Sequence, residues 1–119
     1  MKCTFPYQKV TTPGTTIISP NFPRNYSNDI DCELSIMFES TQRVGVNFDL
    51  FDIETGCADW LKIFDGNSSS ASLLRSKYCG DSRLGYVESS GSSMHLNFHS
   101  DSTVTKSGFK LNTYVIGMK

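Results

Sequence analysis

The chain of 119 residues lacks several features that would point to particular function classes. No apolar run approaches the roughly 20 residues that a membrane-spanning helix needs. No tract of Lys and Arg occurs, and 11 basic against 12 acidic residues give a net charge of −1, which argues against holding a nucleic-acid backbone. Phosphate-binding glycine loops are also missing, because the nine glycines are scattered. We therefore expect neither a nucleic-acid partner nor membrane insertion.

The four cysteines lack the spacing of a zinc site. Cys3, Cys32, Cys57 and Cys79 are separated by 28, 24 and 21 residues, whereas structural zinc sites use ligand pairs only a few residues apart. An even number of cysteines in a small domain favours disulfides instead, and four cysteines allow three pairings.

Two motifs of the N-x-[ST] type begin at Asn25 and Asn67. Asparagine in this motif accepts an N-linked glycan in secreted proteins, and disulfides persist in the same compartments. The two signals together predict a secreted protein or the ectodomain of a surface protein. The first ten residues contain no apolar h-region, so no signal peptide is expected within this sequence.

Helical periodicity is scarce, and alternation of apolar and polar residues takes its place. The alternation occurs at 32–38, 44–50, 94–99 and 109–115, with shorter candidate strands at 15–19, 60–65 and 76–79. A period of two is typical of strands with one buried face; in the second run Val44, Val46, Phe48 and Leu50 are expected to share that face. Clusters of Pro, Gly, Asn and Ser mark the turns between runs. The chain is therefore predicted to be all-β, a two-sheet antiparallel β-sandwich.

Signals for catalysis are few. His95 and His99 would lie about 13 Å apart along one strand, too far to share a metal, and we expect both at the strand surface. The string His99-Ser100-Asp101 contains the residue types of a catalytic triad, but consecutive strand residues point to opposite faces. Paired carboxylates in a glycosidase flank a substrate cleft, for which the chain has no large insertion. We expect a binding protein and not an enzyme.

One acidic stretch, DIETGCADWLKIFDG, raises a question of its own. Glu54, Cys57 and Asp59 fall within six residues of one another, at the start of an apolar strand. Three explanations are open at this point: chemistry on a substrate, a cation site, or a polar loop closed by a disulfide.

The order of motifs along the chain resembles that of the CUB domain family of extracellular proteins. SPNFPRNY is followed by a cysteine, then by VNFDLFDIE, a further cysteine, DWLKIFDG, YCG and NFHSDSTVTKSGFKL. The resemblance extends over nearly the whole chain and implies one CUB domain over residues 1–119, with its core at about 3–115. It also implies a jelly-roll-like sandwich with two disulfides, Cys3–Cys32 and Cys57–Cys79.

The resemblance further implies a calcium site at one end of the sandwich. Many members of the family use a Tyr in an early loop, a Glu before the third cysteine, an Asp after it and an Asp in a late loop. This chain has all four: Tyr26, Glu54, Asp59 and Asp101. Calcium takes six to eight oxygen ligands, so backbone carbonyls near Thr103 or Val104 are expected to contribute. A neutral phenol is a poor ligand, and the expected role of Tyr26 is to orient a ligating carboxylate through a hydrogen bond.

The function implied is protein–protein interaction outside the cell. In related modules calcium orders the loops, and acidic oxygens accept a lysine from the partner. The corresponding expectation is a partner Lys or Arg docking on Glu54, Asp59 and Asp101. Two alternatives stay open: a calcium-independent module that binds carbohydrate or glycoprotein, as in the spermadhesin-like relatives, and a targeting or regulatory module of a multidomain extracellular protease.

Overall fold

The computed structural model describes residues 9–80 and 85–118, which form two packed β-sheets. In chain order the strands are β1 (Lys9–Val10), β2 (Thr16–Ile18), β3 (Asp31–Met37), β4 (Gln42–Asp52), β5 (Trp60–Asp65), β6 (Ser72–Tyr78), β7 (Tyr86–Glu88), β8 (Ser93–His99) and β9 (Gly108–Met118). Within these described ranges no helix is long and apolar enough to cross a membrane.

The first sheet has the strand order β1-β3-β8-β5-β6, and the second has the order β2-β9-β4-β7. The predicted two-sheet sandwich is confirmed. One detail differs from the prediction, because β1 lies parallel to β3, with Lys9 opposite Ser35, so the first sheet is mixed at that edge. Strands β1 and β7, of two and three residues, were not predicted from the sequence.

The core lies between the sheets and is built from the alternating apolar positions. On the first sheet, side chains of β3 pair with those of β8 and are almost completely buried: Cys32 with Phe98, Leu34 with Leu96 and Ile36 with Met94. On the second sheet, Val44, Val46, Phe109 and Leu111 are fully buried. Complete burial of such a side chain stabilises a fold by about 1.5–3 kcal/mol, so these positions hold the sheets face to face.

Strand β4 contains a β-bulge that the alternation did not predict. The register with β9 shifts between Phe48 and Leu50, and Phe51 pairs with Phe109. The extra residue reverses which side chains face inward: Leu50 is 55% exposed, whereas Phe51 is buried. The prediction that Leu50 shares the buried face is therefore wrong.

His95 is buried, contrary to the prediction for both histidines. Only 6% of its surface is exposed, and its Nε2 lies 2.6 Å from Glu33 Oε1. The loop between β5 and β6 covers this part of the sheet, because Ser35 Oγ donates to the backbone carbonyl of Asn67. A period-two pattern assigns a residue to a face of the sheet but does not show that a loop folds over that face.

Three loops cross from one sheet to the other at the same end of the sandwich. Residues 19–30 join β2 to β3, residues 53–59 join β4 to β5, and residues 100–107 join β8 to β9. The strand ends that carry these loops are neighbours: His99 pairs with both Asp31 and Trp60, and Asp52 pairs with Gly108. We refer to this region as the crossing-loop end.

One of the two predicted disulfides is seen at the crossing-loop end. Cys57 and Cys79 are bonded, with their Cα atoms 5.2 Å apart. The predicted Cys3–Cys32 pair involves Cys3, which lies outside the described residues, and that pair stays a prediction. Cys32 itself is fully buried in β3.

Candidate metal centre

The three acidic residues predicted from the sequence lie together at the crossing-loop end. Glu54, Asp59 and Asp101 each place one carboxylate oxygen within 4.8 Å of the others. Glu54 and Asp59 are only five positions apart in the chain. Gly56 and Cys57 both adopt positive φ angles, 89° and 64°, and this tight turn brings the two carboxylates to the same side of the loop.

Asp59 is the buried anchor of the cluster. Its side chain has no exposed surface, and both of its oxygens accept hydrogen bonds. Tyr26 Oη donates to Asp59 Oδ2 at 2.7 Å, and the backbone N–H of Asp101 donates to Asp59 Oδ1 at 2.8 Å. Asp59 therefore fixes the position of Asp101 relative to the loop between β4 and β5.

Tyr26 links two of the crossing loops through its hydroxyl group. The hydroxyl donates to Asp59 and accepts the backbone N–H of Glu54 at 3.2 Å. The bond to Asp59 is of the kind expected for Tyr26, because it orients a carboxylate. The ring is 1% exposed and packs edge-on against Phe98, with centroids 5.0 Å apart. Burial raises the pKa of the Tyr26 hydroxyl, and the hydrogen bond to Asp59 raises it further. The phenol therefore stays protonated and keeps donating.

The carboxylates are close enough to disfavour one another's charges. Burial raises the pKa of Asp59 above its ordinary value, although the hydrogen bonds from Tyr26 and from the Asp101 backbone oppose the increase. Burial also raises the pKa of Glu54, and the charges of Asp59 and Asp101 add to the increase. A cation among the three would relieve this repulsion.

One oxygen of the cluster has no hydrogen-bond partner among the residues that the structure describes. Glu54 Oε1 is buried and accepts no hydrogen bond, and it is the one such side-chain atom in residues 9–80 and 85–118. Buried polar atoms are almost always paired, because an unpaired one loses its hydration without compensation. Three carboxylates, one with an unused buried oxygen, are the hard oxygen donors that calcium takes. The residues present therefore fit a calcium ion.

The late loop is organised around Asp101. Its Oδ1 accepts the backbone N–H of Thr103 at 3.1 Å, and its carbonyl accepts the backbone N–H of Asp29 at 2.8 Å, which joins the late loop to the early loop. Val104 has a positive φ of 41°, so the chain turns sharply just after Asp101. Ligation by the carbonyls of Thr103 or Val104 stays a prediction.

Two residues that act at the crossing-loop end were not predicted from the sequence. Ser100 Oγ accepts the N–H of Ile30 and donates to the carbonyl of Ser27, which ties the early loop to the late loop. Lys106 lowers the pKa of Glu54 through its charge, against the larger effects that raise it. Nothing in the local pattern could indicate Lys106, because it is 52 positions from Glu54 in the chain.

The two predicted glycosylation sites lie in different settings, although both asparagines are exposed. Asn25 Nδ2 donates to the carbonyl and to Oγ1 of Thr105, at 3.2 and 3.3 Å, next to the buried Tyr26. Asn67 lies in the loop that covers His95. Attachment of a glycan at either residue stays a prediction.

Comparison with known proteins gives consistent matches along the chain. The family model for the CUB domain matches residues 3–113. Human neuropilin-2 is 34% identical over 115 residues, which cover 89% of this chain and 12% of neuropilin-2. Mouse tolloid-like protein 2 is 35% identical over 105 residues, which cover 86% of this chain and 10% of that protein. The chain thus corresponds to a small part of the length of these relatives.

Solved structures resemble the fold closely. The crystal structure of the MASP-1 CUB2 domain bound to Ca²⁺ matches with a TM-score of 0.80 and 26% identity, over 90% of this chain and 96% of that one. The full extracellular region of zebrafish Gpr126/Adgrg6 matches with a TM-score of 0.82 and 25% identity, over 99% of this chain and 15% of that one. The two-sheet sandwich, the ordered motifs and the family match agree, and this chain belongs to the CUB domain family.

Proposed function

We propose that this chain is a calcium-stabilised interaction module of an extracellular protein, with Glu54, Asp59 and Asp101 as its calcium ligands. The observation that carries the proposal is the buried, unpartnered Oε1 of Glu54, in a cluster whose carboxylate oxygens lie within 4.8 Å of one another. The similarity to the Ca²⁺-bound MASP-1 CUB2 domain supports the choice of ion. Bound calcium would supply a positive charge that holds the crossing loops in one arrangement.

Hydrogen bonds within the protein position the buried carboxylate of this site. Tyr26 and the Asp101 backbone hold the Asp59 carboxylate in place, so its position does not depend on the ion alone. A carboxylate has about four lone-pair sites, and each Asp59 oxygen therefore retains acceptor capacity after one hydrogen bond. Carbonyls near Thr103 and Val104 would add ligands from the late loop.

The partner would present a Lys or Arg to the acidic oxygens that remain accessible. Three carboxylates and one divalent cation leave a local charge of about −1, and a preordered acidic surface loses little entropy when a cationic side chain docks. Glu54 and Asp101 are partly exposed, whereas Asp59 is fully buried. The partner would therefore contact Glu54 and Asp101. Asp59 would not touch the partner and would contribute by holding the backbone of Asp101 in place.

The extracellular setting is part of the same proposal. The Cys57–Cys79 disulfide suits an oxidising compartment, and one matched structure is described as a full extracellular region. The function proposed is binding, and any catalytic activity would belong to other parts of a larger protein.

A calcium titration followed by thermal unfolding tests the proposal. If free calcium reaches a hundred times its dissociation constant, binding adds about 2.7 kcal/mol to the free energy of unfolding. For a chain of this size the melting temperature would rise by roughly 10 °C. Asp101→Asn should abolish the rise, because it removes a ligand charge with little change of shape.

Glu39→Gln is the matched control, since Glu39 is exposed in the turn between β3 and β4, far from the crossing-loop end. It removes the same charge and should keep the full rise. If wild type shows no rise, or if Asp101→Asn shows the wild-type rise, the site assignment is wrong.

A further inference from the structure

A buried histidine connects the outer face of the first sheet to the loop that covers it. His95 on β8 contacts two residues of β3: its Nε2 lies 2.6 Å from Glu33 Oε1, and its Nδ1 lies 2.9 Å from Ser35 Oγ. The Ser35 hydroxyl also donates to the backbone carbonyl of Asn67 at 3.1 Å. We call residues 66–71 the covering loop, and Glu33, Ser35 and His95 the histidine network.

The strand register explains why these groups meet. Ser35 is opposite His95 in the antiparallel pair of β3 and β8, and Glu33, two residues along β3, lies on the same face. On the other side of β8, Phe64 of β5 is opposite His95, and the centroids of the two rings are 5.8 Å apart. With an aromatic ring beside it and a loop over it, the imidazole depends on protein groups for its hydrogen bonds.

The number of available protons determines the charge of His95. A hydroxyl group has one proton, and that of Ser35 is given to the Asn67 carbonyl, which can only accept. Nδ1 of His95 must therefore donate to Ser35 Oγ. Nε2 donates to Glu33, because Glu33 is 55% exposed and a hydrated carboxyl group is a stronger acid than an imidazolium. All three hydrogen bonds exist together only when His95 is an imidazolium.

Glu33 is the one carboxylate that contacts His95 in residues 9–80 and 85–118. The covering loop contains no titratable residue. The charged and titratable residues that share this face of the adjoining strands are Lys9 on β1, Asp31 and Glu33 on β3, Lys62 on β5 and His99 on β8. Within the described residues, the imidazolium is therefore neutralised by Glu33 alone.

Loss of one proton from His95 redistributes the hydrogen bonds. A hydrogen bond to a charged acceptor is about twice as strong as one between neutral groups, so Glu33 keeps the proton of Nε2, and Nδ1 releases its proton to the solvent. Nδ1 then needs a donor, and the Ser35 hydroxyl is already within reach. Once Ser35 donates to Nδ1, it no longer donates to Asn67.

We propose that the histidine network is a pH-sensitive switch, which attaches the covering loop to the sheet while His95 is charged and releases it when His95 becomes neutral. Ser35 makes the one hydrogen bond from β3 or β8 to this loop among the described residues. The loop keeps its own turn on release, because the N–H of Ala71 donates to the carbonyl of Ser68. Histidine changes charge between roughly pH 5 and 8 in ordinary surroundings, the range used by endosomal pH sensors.

The protonation of each ring nitrogen can be observed directly by NMR. The folded, isotope-labelled chain is titrated in EDTA from roughly pH 5 to 8.5 while the nitrogen shifts of the imidazole are recorded. We expect both nitrogens of His95 to be protonated at the acidic end and the proton to remain on Nε2 at the alkaline end. His99→Gln leaves His95 as the only histidine of the chain and assigns its signals.

The carbonyl carbon shift of Asn67 reports the attachment of the loop. It should follow the titration of His95, and the attached fraction should fall by about 2- to 10-fold, the effect of one neutral hydrogen bond. Ser35→Ala should give the alkaline shift at every pH. Glu33→Gln should move the transition to lower pH, because the charge that favours the imidazolium is removed.

Ser76→Ala is the matched control, because Ser76 is an exposed serine on β6 and its loss should leave the wild-type transition unchanged. Thermal unfolding shows that each variant is folded. If the proton remains on Nδ1 at the alkaline end, Ser35 stays bonded to Asn67 and the proposal is overturned. An Asn67 shift that ignores the titration of His95, or a transition that persists in Ser35→Ala, also overturns it. A His95 that keeps both protons throughout excludes the switch.

Discussion

The hydroxyl group of Tyr26 offers the sharpest single-atom test of how the crossing-loop end is held. Tyr26→Phe keeps the ring that packs edge-on against Phe98 and deletes only the oxygen between Glu54 N and Asp59 Oδ2. Hydrogen bonds to charged groups contribute about 1.5–3 kcal/mol. For a domain of this length, the melting temperature in EDTA should fall by roughly 6–12 °C.

The same substitution should also weaken calcium binding. Groups that orient a metal ligand without touching the metal typically change its affinity by about 10- to 100-fold when they are removed. Differential scanning calorimetry in EDTA gives the first effect, and isothermal titration with calcium gives the second. Both effects are expected together, because one hydroxyl group orients Asp59 in the absence and in the presence of the ion.

Tyr86→Phe is the matched control for this prediction. Tyr86 is 64% exposed on β7, so loss of its hydroxyl should move the melting temperature by no more than about 2 °C. If Tyr26→Phe melts as close to wild type as Tyr86→Phe does, and binds calcium within about threefold of wild type, the hydroxyl does not organise the site and the reasoning fails.

Two further predictions concern charge and covalent closure at the same end. A raised pKa in the folded state means that Glu54 binds its proton more tightly there, so its contribution to stability is present below its ordinary pKa and is lost as pH rises through the folded pKa. In EDTA, Glu54→Gln should therefore melt above wild type at pH 7, and the advantage should vanish toward about pH 4; with calcium at pH 7 the order should reverse. An advantage of the same size at both pH values would contradict the repulsion described here. Replacement of both Cys57 and Cys79 by Ser opens a loop with a sequence separation of 22 and should cost about 3 kcal/mol in the chain-entropy model. Urea unfolding measures this loss, and a midpoint equal to that of wild type would exclude a stabilising role.

The strands that the sequence predicts well are those whose alternation is long and uninterrupted. Strand β8 alternates from Met94 to His99 and matches the structure to within one residue. Strand β6 was predicted only at its end, because Leu73 and Leu74 are adjacent and hide the period; the strand begins at Ser72. Leu50 was misplaced because a bulge changes the face without changing the composition of the strand.

The candidate site depended on a different kind of information. No periodicity relates Glu54 to Asp101, which are 47 positions apart, and only the resemblance to a known family connected them. Their closeness follows from the pairing of strand ends, a long-range property that a local pattern does not contain. A hydrogen bond from Tyr26 to one of the carboxylates was anticipated from the weak ligand chemistry of a neutral phenol, but only the structure identifies Asp59 as its acceptor. The unpartnered oxygen of Glu54 could be seen only in three dimensions.

The shared hydroxyl of Tyr26 also limits how this domain can vary in length. Because a single oxygen serves the early loop and the β4–β5 loop together, an insertion or deletion in either loop would displace an anchor of the other. The turn at Glu39 on the far side carries no such double attachment among the described residues, and its side chains are exposed. New peptide segments should therefore be grafted at that turn, where lengthening the chain leaves the acidic cluster intact.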